Sequence, residues 1–163
     1  MAGLLPVTEA EIRFLRALRD SKIRFLLVGL SAAALQGAIV VTQDIDLWFE
    51  DLNDPRMAEA LRKIGAAYVP PFDLNPPMFV GAGAELFDIV IRMDGLKSFA
   101  QEYKSCVDVK LGPLRLKALS LDRILASKRA SNRPKDRLVL KLLRDTAAVP
   151  SKLRKSTRSR RKV

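Results

Sequence analysis

Two aspartates one residue apart, Asp44 and Asp46, are the first positions at which this chain can do chemistry. On a strand, alternate side chains point to opposite faces, so these carboxylates share one face while Ile45, Leu47 and Phe49 share the other. Carboxylates held that close repel each other, and one or two divalent cations relieve the repulsion. An Asp-x-Asp pair also occurs as a strand-end turn or as two helix caps. A third carboxylate, Asp88, lies inside the apolar run Leu86-Phe87-Asp88-Ile89-Val90-Ile91, where an ionised group is costly to bury alone. A cation shared with Asp44 and Asp46 is one possible partner. An edge-strand position facing water, or an ion pair with Arg92 or Arg24, are the others. Upstream, Val28-Gly29-Leu30-Ser31 marks a strand turning into a helix. Gly29 and Ser31 there let backbone amides approach a phosphate, or they form a tight turn with Ser31 as a plain helix cap.

The chain has no histidine, which removes imidazole bases, His-containing zinc sites and imidazole triads. Acid-base and metal chemistry fall to carboxylates, hard oxygen ligands suited to magnesium or manganese. Cys106 is the single cysteine; it excludes an internal disulfide and fits a reducing compartment, the cytoplasm. No apolar run reaches the roughly 20 residues of a membrane-spanning helix, and Met1 to Thr8 lacks the pattern of a signal peptide. The expectation is a protein without membrane association.

The net charge of +11 is unevenly placed. Residues 1–109 hold 11 basic and 15 acidic side chains, residues 110–150 hold 11 and 3, and residues 151–163 hold 7 and 0. An acidic front and a basic back suit carboxylates holding a cation beside lysines and arginines that hold polyphosphate or nucleic acid, or a basic face that only aids solubility.

The elements that must position these groups can be read from caps and periodicity. Thr8-Glu9-Ala10-Glu11 has capping-box spacing, and Ile12, Leu15 and Leu18 predict a helix to about Asp20. Ile23 to Val28 predicts a buried strand, followed by a turn and a helix headed by Ser31 and ending at Gly37. Asp44 to Glu50 reads as a second strand, and Asp54-Pro55 opens a helix that Gly65 closes. Four prolines and two glycines between Tyr68 and Gly83 predict a loop or irregular hairpin. Leu86 to Met93 is the third strand. Short strands at Val107 to Lys110 and Leu114 to Lys117 precede helices from Ser120 to about Ala130 and from Pro134 to near Thr146. The fold class is α+β: a mixed sheet flanked by helices, with further helices at the C-terminal end. One domain spans residues 1–150, and residues 151–163 form a basic tail expected to be disordered.

Phe25 to Ala32, then Gly37, then Thr42-Gln43-Asp44-Ile45-Asp46-Leu47-Trp48 together resemble the N-terminal motif of the minimal nucleotidyltransferase superfamily, relatives of DNA polymerase beta. The resemblance continues through Phe87-Asp88-Ile89 and Asp94-Gly95. Leu119 to Asp122, Ala126 to Ala130 and Arg133-Pro134-Lys135-Asp136 are similar to the C-terminal helices of the bacterial antitoxin and abortive-infection branch. It covers about residues 8 to 146.

The resemblance implies Mg²⁺-dependent (or Mn²⁺-dependent) transfer of a nucleoside monophosphate from an NTP to a hydroxyl of RNA, a protein or a small molecule. Asp44 and Asp46 would bind metal, and Asp88 would help bind it and activate the acceptor. Gly29, Ser31, Thr42, Lys128, Arg133 and Lys135 would bind nucleotide, with Asp136 orienting a base. The implied partners are an NTP, tRNA or other RNA on the basic tail, and a cognate toxin or antitoxin protein. Leu30 stands where the family usually has Gly or Ser, and Val40 where it often has Arg. These two positions motivate a second reading, a weakened nucleotidyltransferase that works as a binding module, an antitoxin or regulator.

Overall fold

The computed structural model describes residues 6–154. Helix α1 (Glu9–Asp20) starts at the expected capping box: the Glu11 amide donates to the Thr8 hydroxyl and the Thr8 amide to the Glu11 carboxylate. Its apolar stripe of Ile12, Phe14, Leu15 and Leu18 is buried, as a helix packed on a sheet requires. Strand β1 (Phe25–Val28) is buried along its whole length. It leads into α2 (Gly29–Leu35), β2 (Ile45–Phe49) and α3 (Pro55–Arg62). Next come a hairpin of β3 (Ala66–Val69) and β4 (Met78–Gly81), then β5 (Phe87–Val90), α4 (Phe99–Tyr103), a second hairpin of β6 (Val107–Leu111) and β7 (Leu114–Ala118), α5 (Leu121–Ser131) and α6 (Pro134–Ala148).

The main sheet has the order β5-β2-β1-β7-β6 and is mixed, as the sequence predicts. β1 pairs antiparallel with β2 and parallel with β7, β2 pairs parallel with β5, and β6 pairs antiparallel with β7. Its apolar face is sealed by rings: Phe14 of α1 stacks on Phe87 at 4.7 Å and meets Phe79 edge-on at 5.1 Å, offset and edge contacts that aromatic pairs favour. Half-buried Cys106 packs against this core, and burial pushes its thiol up. No helix among the described residues is long and apolar enough to cross a membrane.

The structure differs from the sequence expectation in four places. Helix α2 begins at Gly29, with Val28 as its cap residue, and Ser31 is not a cap: its buried hydroxyl donates to the Val28 carbonyl at 3.2 Å. Residues 66–81 form a regular antiparallel hairpin, because the prolines are confined to its turn. A short helix, α4, stands where the sequence pattern predicts no element, with Ser98 and Gln101 making a capping box at its start. Finally, residues 151–154 form a helical turn where the tail was expected to be without structure. The Arg154 guanidinium donates to the carbonyls of Val149 at 2.7 Å and Thr146 at 3.2 Å, closing the end of α6. The rest of the tail lies outside the described residues.

Candidate active site

Strand register places the carboxylates. Val28 opposes Asp46 on β2, and Asp46 in turn opposes Asp88 on β5, so the three positions form one row across three strands. The row lies where β1 ends, and the chain turns there through Gly29 at φ +67°. A Cβ at Gly29 would collide with the Asp46 carboxylate oxygen. Both the left-handed conformation and the close approach therefore demand glycine. Asp44 lies one step ahead of β2 and is exposed. Asp88 is exposed on the sheet's edge strand, and neither cationic partner weighed for it is used: Arg92 pairs with Asp94 at 3.3 Å and Arg24 with Glu50 at 3.6 Å.

Beside Asp46 opens a cleft of about 310 Å³. One wall is Val28, Gly29 and Asp46; the facing wall is the corner between α5 and α6, which supplies Lys128, Arg133 and Lys135. Asn132 makes this corner by taking the left-handed conformation at φ 48°, and Pro134 starts α6 immediately afterwards. The Asp94-Gly95 turn closes the cleft from the side. Gly95 lies so close to Ala130 that a Cβ there would collide with the Ala130 side chain.

The cation wall is anchored by Asp136, only 1% exposed. Its carboxylate accepts from Lys128 Nζ at 3.1 Å, Ser131 Oγ at 2.6 Å, Arg133 Nε at 3.1 Å and the Arg133 amide at 3.2 Å. Burial alone would raise its pKa, but the hydrogen bonds from Ser131, Lys128 and Arg133 outweigh burial and hold the carboxyl well below the usual range. Asp136 thus faces the cations of the α5–α6 corner. Its anchoring role had one signal in sequence, an acid two residues after the helix-opening proline.

Asp46 has the opposite electrostatics. Its pKa is pushed up to about 6, first by burial and next by the Asp88 charge; Lys128 opposes this, Asp44 adds to it and Lys135 opposes it. Asp88 is raised too, by desolvation and then by Asp44. No three metal-ligating side chains among the described residues converge into a ready-made cage. Even so, a set of hard carboxylate oxygens short of positive charge fits a divalent cation such as Mg²⁺ in its chemistry.

The cleft therefore gathers Gly29, Asp46, Lys128, Arg133 and Lys135 from the residues singled out in sequence, with Asp88 and Asp44 coupled to Asp46 electrostatically. Two do not join them. Ser31 is fully buried, its hydroxyl turned onto the Val28 carbonyl and away from the cleft lining. Thr42 donates to the Asp44 carbonyl at 3.1 Å and holds the turn before β2. Leu30 is half-buried in the first turn of α2, and Val40 packs against the core.

No protein-family model and no curated protein matches the chain. Solved structures do. A crystal structure of ANT(2'')-Ia in complex with adenylyl-2''-tobramycin is 18% identical, with 91% of this chain and 95% of that one covered and a TM-score of 0.56. A solution structure of the antibiotic-resistance factor ANT(2'')-Ia is 17% identical, covering 91% and 89%, also at 0.56. The lincomycin-bound lincosamide antibiotic adenylyltransferase LnuA is 16% identical, covering 86% and 98%, again at 0.56. At such identities the likeness is one of architecture: this chain has the fold of these antibiotic nucleotidyltransferases.

Proposed function

We propose that the protein is a nucleotidyltransferase that moves a nucleoside monophosphate from an NTP to an acceptor hydroxyl. The observation that carries this reading is the cleft itself, which sets Asp46 beside the Gly29 turn and opposite Lys128, Arg133 and Lys135. The cations take the β- and γ-phosphates, matching charge with donors of which Lys128 and Arg133 are already held in place by Asp136. Asp46, with Asp44 and Asp88, would hold Mg²⁺ or Mn²⁺, which when bound neutralises charge on the transferring phosphoryl group. The acceptor oxygen forms a bond to the α-phosphorus, the bond to the β-phosphate bridging oxygen breaks, and pyrophosphate leaves toward Lys128 and Arg133. Asp88, exposed and with a raised pKa, is placed to take the acceptor's proton.

A small-molecule hydroxyl is the acceptor class favoured here, since both named neighbours are enzymes of antibiotic modification. RNA and protein acceptors belong to the toxin-antitoxin reading, which rests on the resemblance of the α5–α6 residues. A second reading, a nucleotide-binding module without turnover, is favoured by one observation: half-buried Leu30 follows Gly29 in the first turn of α2, where the superfamily it resembles usually has Gly or Ser. The test is label transfer from each α-labelled NTP, with Mg²⁺ or Mn²⁺, to hydroxylated antibiotics, total tRNA and protein. Transfer that disappears in Asp46→Asn is expected. NTP binding without transfer, for the parent and for Leu30→Gly alike, establishes the binding module, and absence of both binding and transfer overturns the reading altogether.

A further inference from the structure

From Ala66 to Ala84 the chain carries one charged residue, Asp73, in a protein of net charge +11. This segment is the β3–β4 hairpin, a two-stranded sheet separate from the main one. Its register puts Tyr68 and Phe79 on the inner face and the pairs Ala67↔Val80 and Val69↔Met78 on the outer face. The inner face joins the core, where Phe79 meets the rings of Phe14 and Phe49. The outer face has no polar side chain, and Met78 and Val80 are 40% and 39% exposed.

The turn continues this surface with Phe72 at 65% and Leu74 at 95% exposure. It is a built turn. Phe72 and Asn75 exchange backbone hydrogen bonds at 3.2 and 2.9 Å, and Asp73 takes the left-handed conformation at φ 52°. Pro70 and Pro71 on one side and Pro76 and Pro77 on the other fix the backbone further. Large apolar side chains held in water by a pre-ordered backbone are costly for a monomer and favourable for association, because little ordering remains to be done on contact.

We propose that this face docks a second copy of the chain, the two hairpins lying antiparallel about a two-fold axis. Charge fixes where two copies can meet and in which orientation, and the exposed apolar face supplies the attraction. Two strongly cationic chains repel each other, and the hairpin is a segment with no lysine or arginine. A two-fold contact must be complementary to itself. In the antiparallel arrangement the tip of each hairpin lies over the base of the other, where exposed Arg62 and Lys63 end α3 four and three residues before β3 begins. Arg62 makes no ion pair among the described residues, and Lys63 pairs with exposed Glu59 at 3.5 Å. Asp73 of each copy then meets the cations of the other, whereas a parallel stacking would oppose Asp73 to Asp73. The patch is confined to one short hairpin, so the dimer is a reversible one with a Kd on the order of micromolar.

Sedimentation velocity on the full chain over a concentration range centred on the micromolar tests this. The parent is expected to shift from monomer to dimer with rising concentration, and the Met78→Lys, Val80→Lys double variant to dimerise at least about tenfold more weakly while keeping the parent's circular dichroism and Tm. Asp73→Arg and Arg62→Asp each weaken the dimer severalfold, and the two together restore it. A parent that stays monomeric throughout overturns the proposal, as does a lysine double variant that dimerises like the parent. Failure of the charge swap to restore overturns the antiparallel arrangement. Co-sedimentation of a monomeric parent with neutral phosphatidylcholine vesicles assigns the face to a lipid surface and overturns it too.

Discussion

Asp46 and Asp88 oppose one another directly across the parallel strands β2 and β5, on the same row as Val28 at the end of β1. This register sets two carboxylates against each other at the lip of a cleft whose far wall is cationic. The arrangement costs stability in the free protein and gains a place for positive charge, which is the pattern of a binding site more than of a packing solution.

The first prediction follows from that cost. Asp46 has its pKa raised to about 6 from 3.8. Its favourable contribution is therefore fully present below pH 3.8 and is lost as pH rises through about 6. At pH 7 and above the ionised form is penalised, by about 1 to 2 kcal/mol once solvent screening of a half-buried group is allowed for. Asp46→Asn should raise the Tm of the metal-free protein by several degrees at pH 8 and by little near pH 4. Thermal denaturation across that range checks it, and a Tm gain independent of pH would rule out the electrostatic cause. Added Mg²⁺ should raise the Tm of the parent and leave the variant unmoved.

Gly29→Ala tests the turn. The substitution meets both a left-handed backbone and the Asp46 carboxylate, so the chain must shift β1 against β2 or displace Asp46. A loss of about 1 to 3 kcal/mol in stability is expected, together with loss of NTP binding. Urea unfolding and calorimetry measure the two. Pairing it with Asp46→Gly, which removes the obstructing carboxylate, should recover part of the stability and none of the binding.

The strand positions of Asp46 and Asp88 were legible because an apolar strand interrupted by a carboxylate is a costly pattern, visible without any structure. Gly29 was legible for the same reason, as a break at a strand end. What the sequence could not show was register, and only register makes Asp46 and Asp88 neighbours. Ser31 misled because a serine near a helix start reads as a cap, yet the helix begins two residues earlier and turns the hydroxyl inward. Asp136 reads locally as an acid in a first helical turn. Its partners Lys128 and Ser131 lie on the preceding helix, and only the corner at Asn132 brings them within reach.

The basic C-terminus makes a prediction in two steps. A chain ending at Arg154 lacks Lys155, Arg158, Arg160, Arg161 and Lys162. If these residues bind RNA by releasing counterions, the slope of log affinity against log salt should shrink by about 3 units for single strands, with Tm unchanged. A chain ending at Pro150 also loses the Arg154 hydrogen bonds that close α6, and should melt lower by the equivalent of about 1 kcal/mol. Equal salt slopes for all three chains would leave the tail without a role in RNA binding.

The cation wall should respond asymmetrically to removal of its two sides. Asp136→Asn keeps the shape of the side chain but takes the counter-charge from Lys128 and Arg133, and removing one partner of a buried pair is costly; about 2 to 4 kcal/mol is expected here because both cations are partly exposed. Lys128→Met leaves Asp136 with Ser131 and Arg133 and should cost about half as much. The pKa of Asp136 is depressed, so its contribution is fully present above the ordinary aspartate value of 3.8 and is lost only as pH falls toward strong acid. The Asp136→Asn penalty should therefore be constant between neutral and mildly alkaline pH, where the Asp46→Asn gain is also complete. On the proposed reading Lys128→Met removes a phosphate ligand and should raise KM and lower kcat, whereas Asp136→Asn should raise KM chiefly, because the cations are still present but have lost their counter-charge. Urea titrations and steady-state kinetics on the two variants measure the pair of effects. A Lys128→Met variant less stable than Asp136→Asn, with parental KM, would show that the lysine serves the α5–α6 corner and not the nucleotide.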